Sequence, residues 1–197
     1  MSSSIYLALP LLALLAIFQA NLLPHFPILG VVPQLFFLAA LAWGMLHGLI
    51  EGLVWAFVAG IFVDLFSATP LGVTALASMA AVTVALLVKD VLPENRIIVP
   101  ALVAALATLI FWLIYSTLLR LLMPLMINNL PFLGLTDLAQ GVRAPGLLVS
   151  IAAGYGLSRN YLALMLQTAF AHALLVLPIY WGFYSLGRLT KRGQLQA

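Results

Sequence analysis

The sequence predicts an all-α integral membrane protein with six transmembrane helices, and three observations carry that prediction. Of its 197 residues, 65% are apolar and only 7% are charged, where a soluble domain carries about a quarter charged residues. Apolar runs of about twenty residues, the length of one span, follow one another with short breaks. The breaks are marked by proline, glycine and clustered charge. With so few charges the exterior must face a bilayer, and residues 1–197 are expected to form one transmembrane domain.

The first span is predicted over residues 5–23, closed by Pro24 and Pro27. Met1 to Ser4 carry no Lys or Arg, which argues against a cleaved signal peptide. Spans two and three, over 28–46 and 49–66, are separated only by His47 and Gly48 and are expected to form a tight helical hairpin. Span four is expected over 71–88, with Thr69 as N-cap and Pro70 in the first turn. The following KDVLPENR packs four charges into eight positions and reads as a solvated loop. Span five covers 97–123 and span six 161–186, with Pro178 as a potential kink. Between them lies a long outer loop whose apolar piece, residues 145–157, is too short to cross and is expected to be interfacial or re-entrant.

Basic residues set the expected orientation. A six-span chain puts Lys89, Arg96, Arg188, Lys191 and Arg192 on the side of the N-terminus and Arg120, Arg143 and Arg159 on the other. The bias places both termini in the cytoplasm. Eight Lys and Arg in all are too few for a phosphate-tracking stripe, so nucleic acid is not an expected partner. The absence of cysteine removes disulfide, Cys-ligated zinc, haem-attachment and iron–sulfur chemistry.

No catalytic motif stands out, and no enzyme activity or cofactor is expected. His25, His47 and His172 fall in separate segments, and His47 with Glu51 offers two ligands four residues apart, which do not make a metal site. Two other features are informative. Ala40, Gly44, Gly48, Gly52, Ala56 and Gly60 recur every fourth residue, the small-residue spacing that lets membrane helices approach closely. That ladder serves either packing within the bundle or a partner helix. Asp64 then sits near the end of an apolar run, at the wrong end of a helix dipole, and needs a compensating partner. The free amides at the start of span four, from about Leu71, are one candidate and Arg120 is the other.

The stretch GLIEGLVWAFVAGIFVDLFSATPLGVTALASMAAV resembles the core of the rod-shape-determining MreD family. Gly60, Asp64, Ser67, Pro70, Leu71 and Gly72 are the matching positions. Pro33-Gln34-Leu35 and the closing LQTAFAHALLVLPIYWGFYSLGRL are also similar to that family. The resemblance implies a non-enzymatic scaffold in the bacterial cytoplasmic membrane that binds MreC and couples MreB to the wall-synthesis pair RodA and a penicillin-binding transpeptidase. An alternative reading is the substrate-binding subunit of an energy-coupling-factor vitamin transporter, with Asp64, Arg120, Asn128, Asn129 and Arg143 around a ligand. A pocket of that kind needs several convergent polar groups.

Overall fold

A computed structural model describes residues 10–15, 17–19, 25, 31–66, 70–93, 95, 97–129 and 159–194. The fold is a helical bundle: α1 (Pro10–Gln19), α2 (Leu35–His47), α3 (Leu49–Phe66), α4 (Val73–Lys89), α5 (Ile98–Asn129) and α6 (Arg159–Gln194). From α2 onward each helix packs against the next, and α2 also touches α4, α5 and α6. Among the described residues, two helices are long and apolar enough to cross a membrane, α5 over Ile98–Leu122 and α6 over Leu162–Ser185, and α1, α2 and α4 are shorter apolar helices.

The centre of the bundle is α2. Phe36 to Ala42, Gly44 and Met45 are all buried, so nearly every face of this helix meets protein. Its N-terminal half packs Phe37 against Phe111 of α5, with ring centroids 5.2 Å apart and the planes tilted by 41°. Its C-terminal half stacks Trp43 on Trp55 of α3 at 4.4 Å, and Phe183 of α6 meets both indoles edge-on. Leu12 of α1 joins the same core. Trp55 and Trp112 are thus bundle residues, whereas Trp181 is 49% exposed among Leu166, Phe170 and Leu174 on the outer face of α6. Exposed apolar side chains also line α3, α4 and α5, the surface expected where lipid tails or another membrane helix replace water.

Several boundaries differ from those expected. The second helix starts at Leu35, seven residues late, because Val32 to Gln34 are non-helical: Pro33 has no amide and biases Val32 toward extended backbone. The fourth begins at Val73, because Gly72 takes the left-handed conformation with φ 94°. Pro70 lies ahead of the helix, where its carbonyl accepts from Val73 N–H at 3.2 Å, and Thr69 lies outside the described residues. The fifth helix runs through Pro124 to Asn129, so proline does not stop it; membrane helices tolerate this where neighbours re-satisfy the freed carbonyl. The sixth continues to Gln194 through Arg188, Lys191 and Arg192, all good helix formers. The piece at 145–157 and most of the outer loop lie outside the described residues.

Candidate functional site

Asp64 lies in the last turn of α3 and is 3% exposed. Its carboxylate points across the following turn at the start of α4. Gly72 N–H donates to Oδ2 at 2.7 Å, Thr74 N–H reaches Oδ1 at 3.1 Å and Oδ2 at 3.2 Å, and Ala75 N–H reaches Oδ2 at 3.5 Å. The first amides of a helix have no partner within it, and the dipole there favours negative charge. One carboxylate therefore answers several donors at once, and the same amides offset a charge that would be unfavourable at the end of α3. Gly72 makes the arrangement possible, since its φ of 94° turns its amide inward at a value that side-chain-bearing residues rarely adopt. Pro70 and the exposed Leu71 complete the described part of this turn; Ser67 lies outside it. Arg120 is exposed on α5.

The small-residue ladder feeds directly into this clamp. At Gly48, φ is 101° and the chain turns back, bringing Gly44 and Gly52 together: a Cβ on Gly44 would lie 2.9 Å from the Gly52 Cα and 2.8 Å from Leu86 Cδ1. A Cβ on Gly60 would fall inside the backbone of Ala75 on α4. Ala40 and Ala56 are fully buried, and the Ser78 hydroxyl of α4 lies 3.0 Å from the Ala56 carbonyl and 2.9 Å from the Ala75 carbonyl. Five of the six rungs are thus filled by the chain's own helices, and only Gly48 is exposed. At Gly44, Gly52 and Gly60 the chain's own helices approach closely enough that an added Cβ would meet their atoms.

A second polar cluster joins four helices. His172 of α6 is fully buried, near the middle of the apolar stretch Leu162–Ser185. Gln34 N–H donates to its Nε2 at 3.0 Å, and its Nδ1 lies 2.8 Å from Thr108 Oγ1. A backbone amide can only donate, so Nε2 is unprotonated and Nδ1 carries the hydrogen. Thr108 Oγ1 accepts from it and donates its own hydroxyl hydrogen bond to the Ala104 carbonyl at 2.7 Å. The next amide, of Leu35, donates to Gln19 Oε1 of α1 at 2.8 Å. This chain of bonds exists because α2 starts late. At about 1.5 Å per residue its thirteen residues span only about 20 Å, so its first amides lie inside the bundle and must be satisfied by protein. The one sequence signal for this cluster is the presence of Gln19, Gln34 and His172 within apolar stretches, since polar groups in spans usually have a partner.

At the end of the bundle near Gly48, Trp43 lies between Trp55 and His47, whose ring is 4.0 Å away. Glu51 Oε2 accepts from Trp43 Nε1 at 3.5 Å, and His47 Nδ1 lies 3.3 Å from the Trp43 carbonyl. His47 and Glu51 are therefore both engaged with Trp43. Lys89 Nζ donates to the Met45 carbonyl at 2.9 Å, placing a cation at the C-terminal end of α2. Beside it a cavity of about 60 Å³ is lined by Gly44, Gly48, Leu86 and Lys89. Pockets for drug-sized ligands are roughly 300 Å³ or more, and this one is far along α3 from Asp64. The transporter reading places its ligand around Asp64, whose carboxylate is already occupied by helix amides. Of the other residues it invokes, Arg143 lies outside the described residues, as do the side chains of Asn128 and Asn129.

The family model for rod shape-determining protein MreD matches residues 1–135. The chain belongs to the MreD family. The match covers the Asp64 clamp, the whole ladder, and Gln19, Gln34 and Thr108 of the second cluster; His172 lies beyond it. The closing stretch on α6, expected to be similar to the family, lies outside the residues matched in this MreD-family chain. No curated protein and no solved structure matches.

Proposed function

We propose that this chain is a six-span, non-enzymatic scaffold of the cell-elongation machinery that binds MreC in the cytoplasmic membrane. Through MreC it helps couple MreB to RodA and a penicillin-binding transpeptidase. The observation that carries this reading is the family match over residues 1–135. The geometry is compatible with it, because the polar side chains of both clusters are bound to helix starts of the same chain. Both termini lie in the cytoplasm on this reading, supported by the five-to-three distribution of basic residues.

Because the ladder is filled, the partner helix docks on lipid-facing side chains. Single cysteines in this Cys-free chain test that directly. Cysteines at exposed Phe57, Leu76, Phe170 and Leu174 are scanned for disulfides with a cysteine in the MreC membrane helix. A crosslink from at least one of these surfaces, with none from Gly44 or Gly60, is the expected pattern. Crosslinks confined to the ladder would overturn the docking assignment. Co-purification with MreC and a rod-to-sphere change on depletion test the wider role, and failure of both would remove it.

A further inference from the structure

We infer that the turn between α3 and α4 lies below the headgroup level, against lipid acyl chains, on the side of the membrane away from the charged α4–α5 turn; this rests on the membrane reading of the bundle. The turns at the two ends of α4 are built differently. The α4–α5 turn carries Lys89, Asp90, Glu94 and Arg96, whereas residues 65–88 hold no charged side chain. At the α3–α4 turn Leu71 is the outward side chain, 67% exposed, while the nearest charge, on Asp64, is buried. The exposed apolar surface of both helices runs on into this turn, through Leu65 of α3 and Leu76 of α4.

Helix lengths give the level. Leu92 N–H still donates to the Lys89 carbonyl, and Asn95 Oδ1 accepts from Ile97 and Ile98 N–H, so α4 ends and α5 starts at nearly the same height. From there α4 covers about 24 Å back to Val73, and α3 covers about 24 Å from Leu49 to Leu65. Leu121, exposed on α5, stands about 35 Å from Ile98, and α5 continues to Asn129. A hydrocarbon core of about 30 Å therefore ends short of Leu121 but roughly 6 Å beyond the α3–α4 turn. Backbone at that depth must be satisfied by protein. Pro70 has no N–H, Asp64 takes the amides of Gly72, Thr74 and Ala75, and Val73 N–H donates to the Pro70 carbonyl. The clamp thus lets the turn stay beneath the headgroups, with α5 rising beside it as a step about 10 Å high.

The test places a nitroxide on single cysteines of this Cys-free chain, reconstituted whole in nanodiscs of phosphatidylethanolamine and phosphatidylglycerol. Collisions with oxygen, which concentrates in hydrocarbon, are compared with collisions with a water-soluble nickel chelate. Labels on Leu65→Cys and Leu71→Cys are expected to favour oxygen and to lie about 10 Å deeper than a label on Leu121→Cys. A label on Val91→Cys, at a residue 85% exposed in the charged turn, should favour nickel. Leu65 keeps the test valid should Leu71→Cys disturb the turn. Nickel access at Leu65 and Leu71 equal to that at Val91 would overturn the inference, since a bilayer thinned down to the turn gives that result. Shielding of both positions from oxygen and nickel alike would overturn it too, because protein would then cover the turn. A chain that fails to enter the discs, or a Val91 label that favours oxygen, would instead remove the membrane reading beneath it.

Discussion

Two helices of this bundle begin inside protein, and their first amides are satisfied in contrasting ways. At α4, a single carboxylate from eight to eleven residues upstream takes the amides of Gly72, Thr74 and Ala75. At α2, two neutral acceptors from other helices take one amide each: His172, 138 residues away, serves Gln34, and Gln19, 16 residues away, serves Leu35. A charged acceptor makes stronger bonds and meets a helix dipole, so the α4 start concentrates its stability in one side chain. The α2 start spreads a weaker interaction over α1, α5 and α6. The first arrangement ties two consecutive helices together, and the second holds the bundle around its central helix.

The contrast yields an order of effects. Asp64→Ala leaves several buried donors unsatisfied and is expected to cost about 3 kcal/mol, read as the shift in unfolding midpoint on denaturing-detergent titration. Asp64→Asn, which retains a carbonyl acceptor, should lose less. If Asp64→Asn unfolds like the wild type, the charge contributes nothing and the contrast collapses. Gly60→Ala comes next at about 2 kcal/mol, since its methyl group must displace the Ala75 backbone. An unchanged midpoint there would mean that α3 and α4 separate without penalty.

How much of this was legible in the sequence follows from the same contrast. Asp64 and its recipient amides are separated by one turn of chain, and a carboxylate in an apolar run next to Pro-Leu-Gly announces its need of a partner. The ladder was equally visible, but spacing alone does not say what fills it; the answer depends on Leu86 and Ala75, which belong to α4. His172 and Thr108 were not legible as a pair, because their contact is set by how α5 and α6 lie against a helix that starts seven residues later than its apolar run. Hydrophobic run length finds where lipid can be tolerated, not where a helix begins within the run, and Pro33 was the only local sign of that start.

The α2 cluster gives the smaller effects. Thr108→Val keeps the shape but removes the acceptor for His172 Nδ1–H, and about 1 kcal/mol is expected, in line with hydrogen bonds measured between membrane helices. A loss as large as that of Asp64→Ala would contradict the distributed character of this start. Gln34→Met should change the midpoint by less than about 0.5 kcal/mol. Its backbone amide makes the bond to His172, whereas its buried side-chain oxygen has no hydrogen-bond partner among the described residues. A large loss would show that the side chain, not the amide, holds α2 in place.

On the proposed reading Asp64 acts within the chain, as the clamp between α3 and α4, rather than as a contact for another protein. It is tested most directly by measuring, on the same membrane preparations of Asp64→Ala, the unfolding midpoint and the amount of MreC that co-purifies. A lowered midpoint, with MreC recovery falling only as far as the folded fraction falls, is the predicted result. A wild-type midpoint with MreC lost would make Asp64 a partner contact and contradict the account.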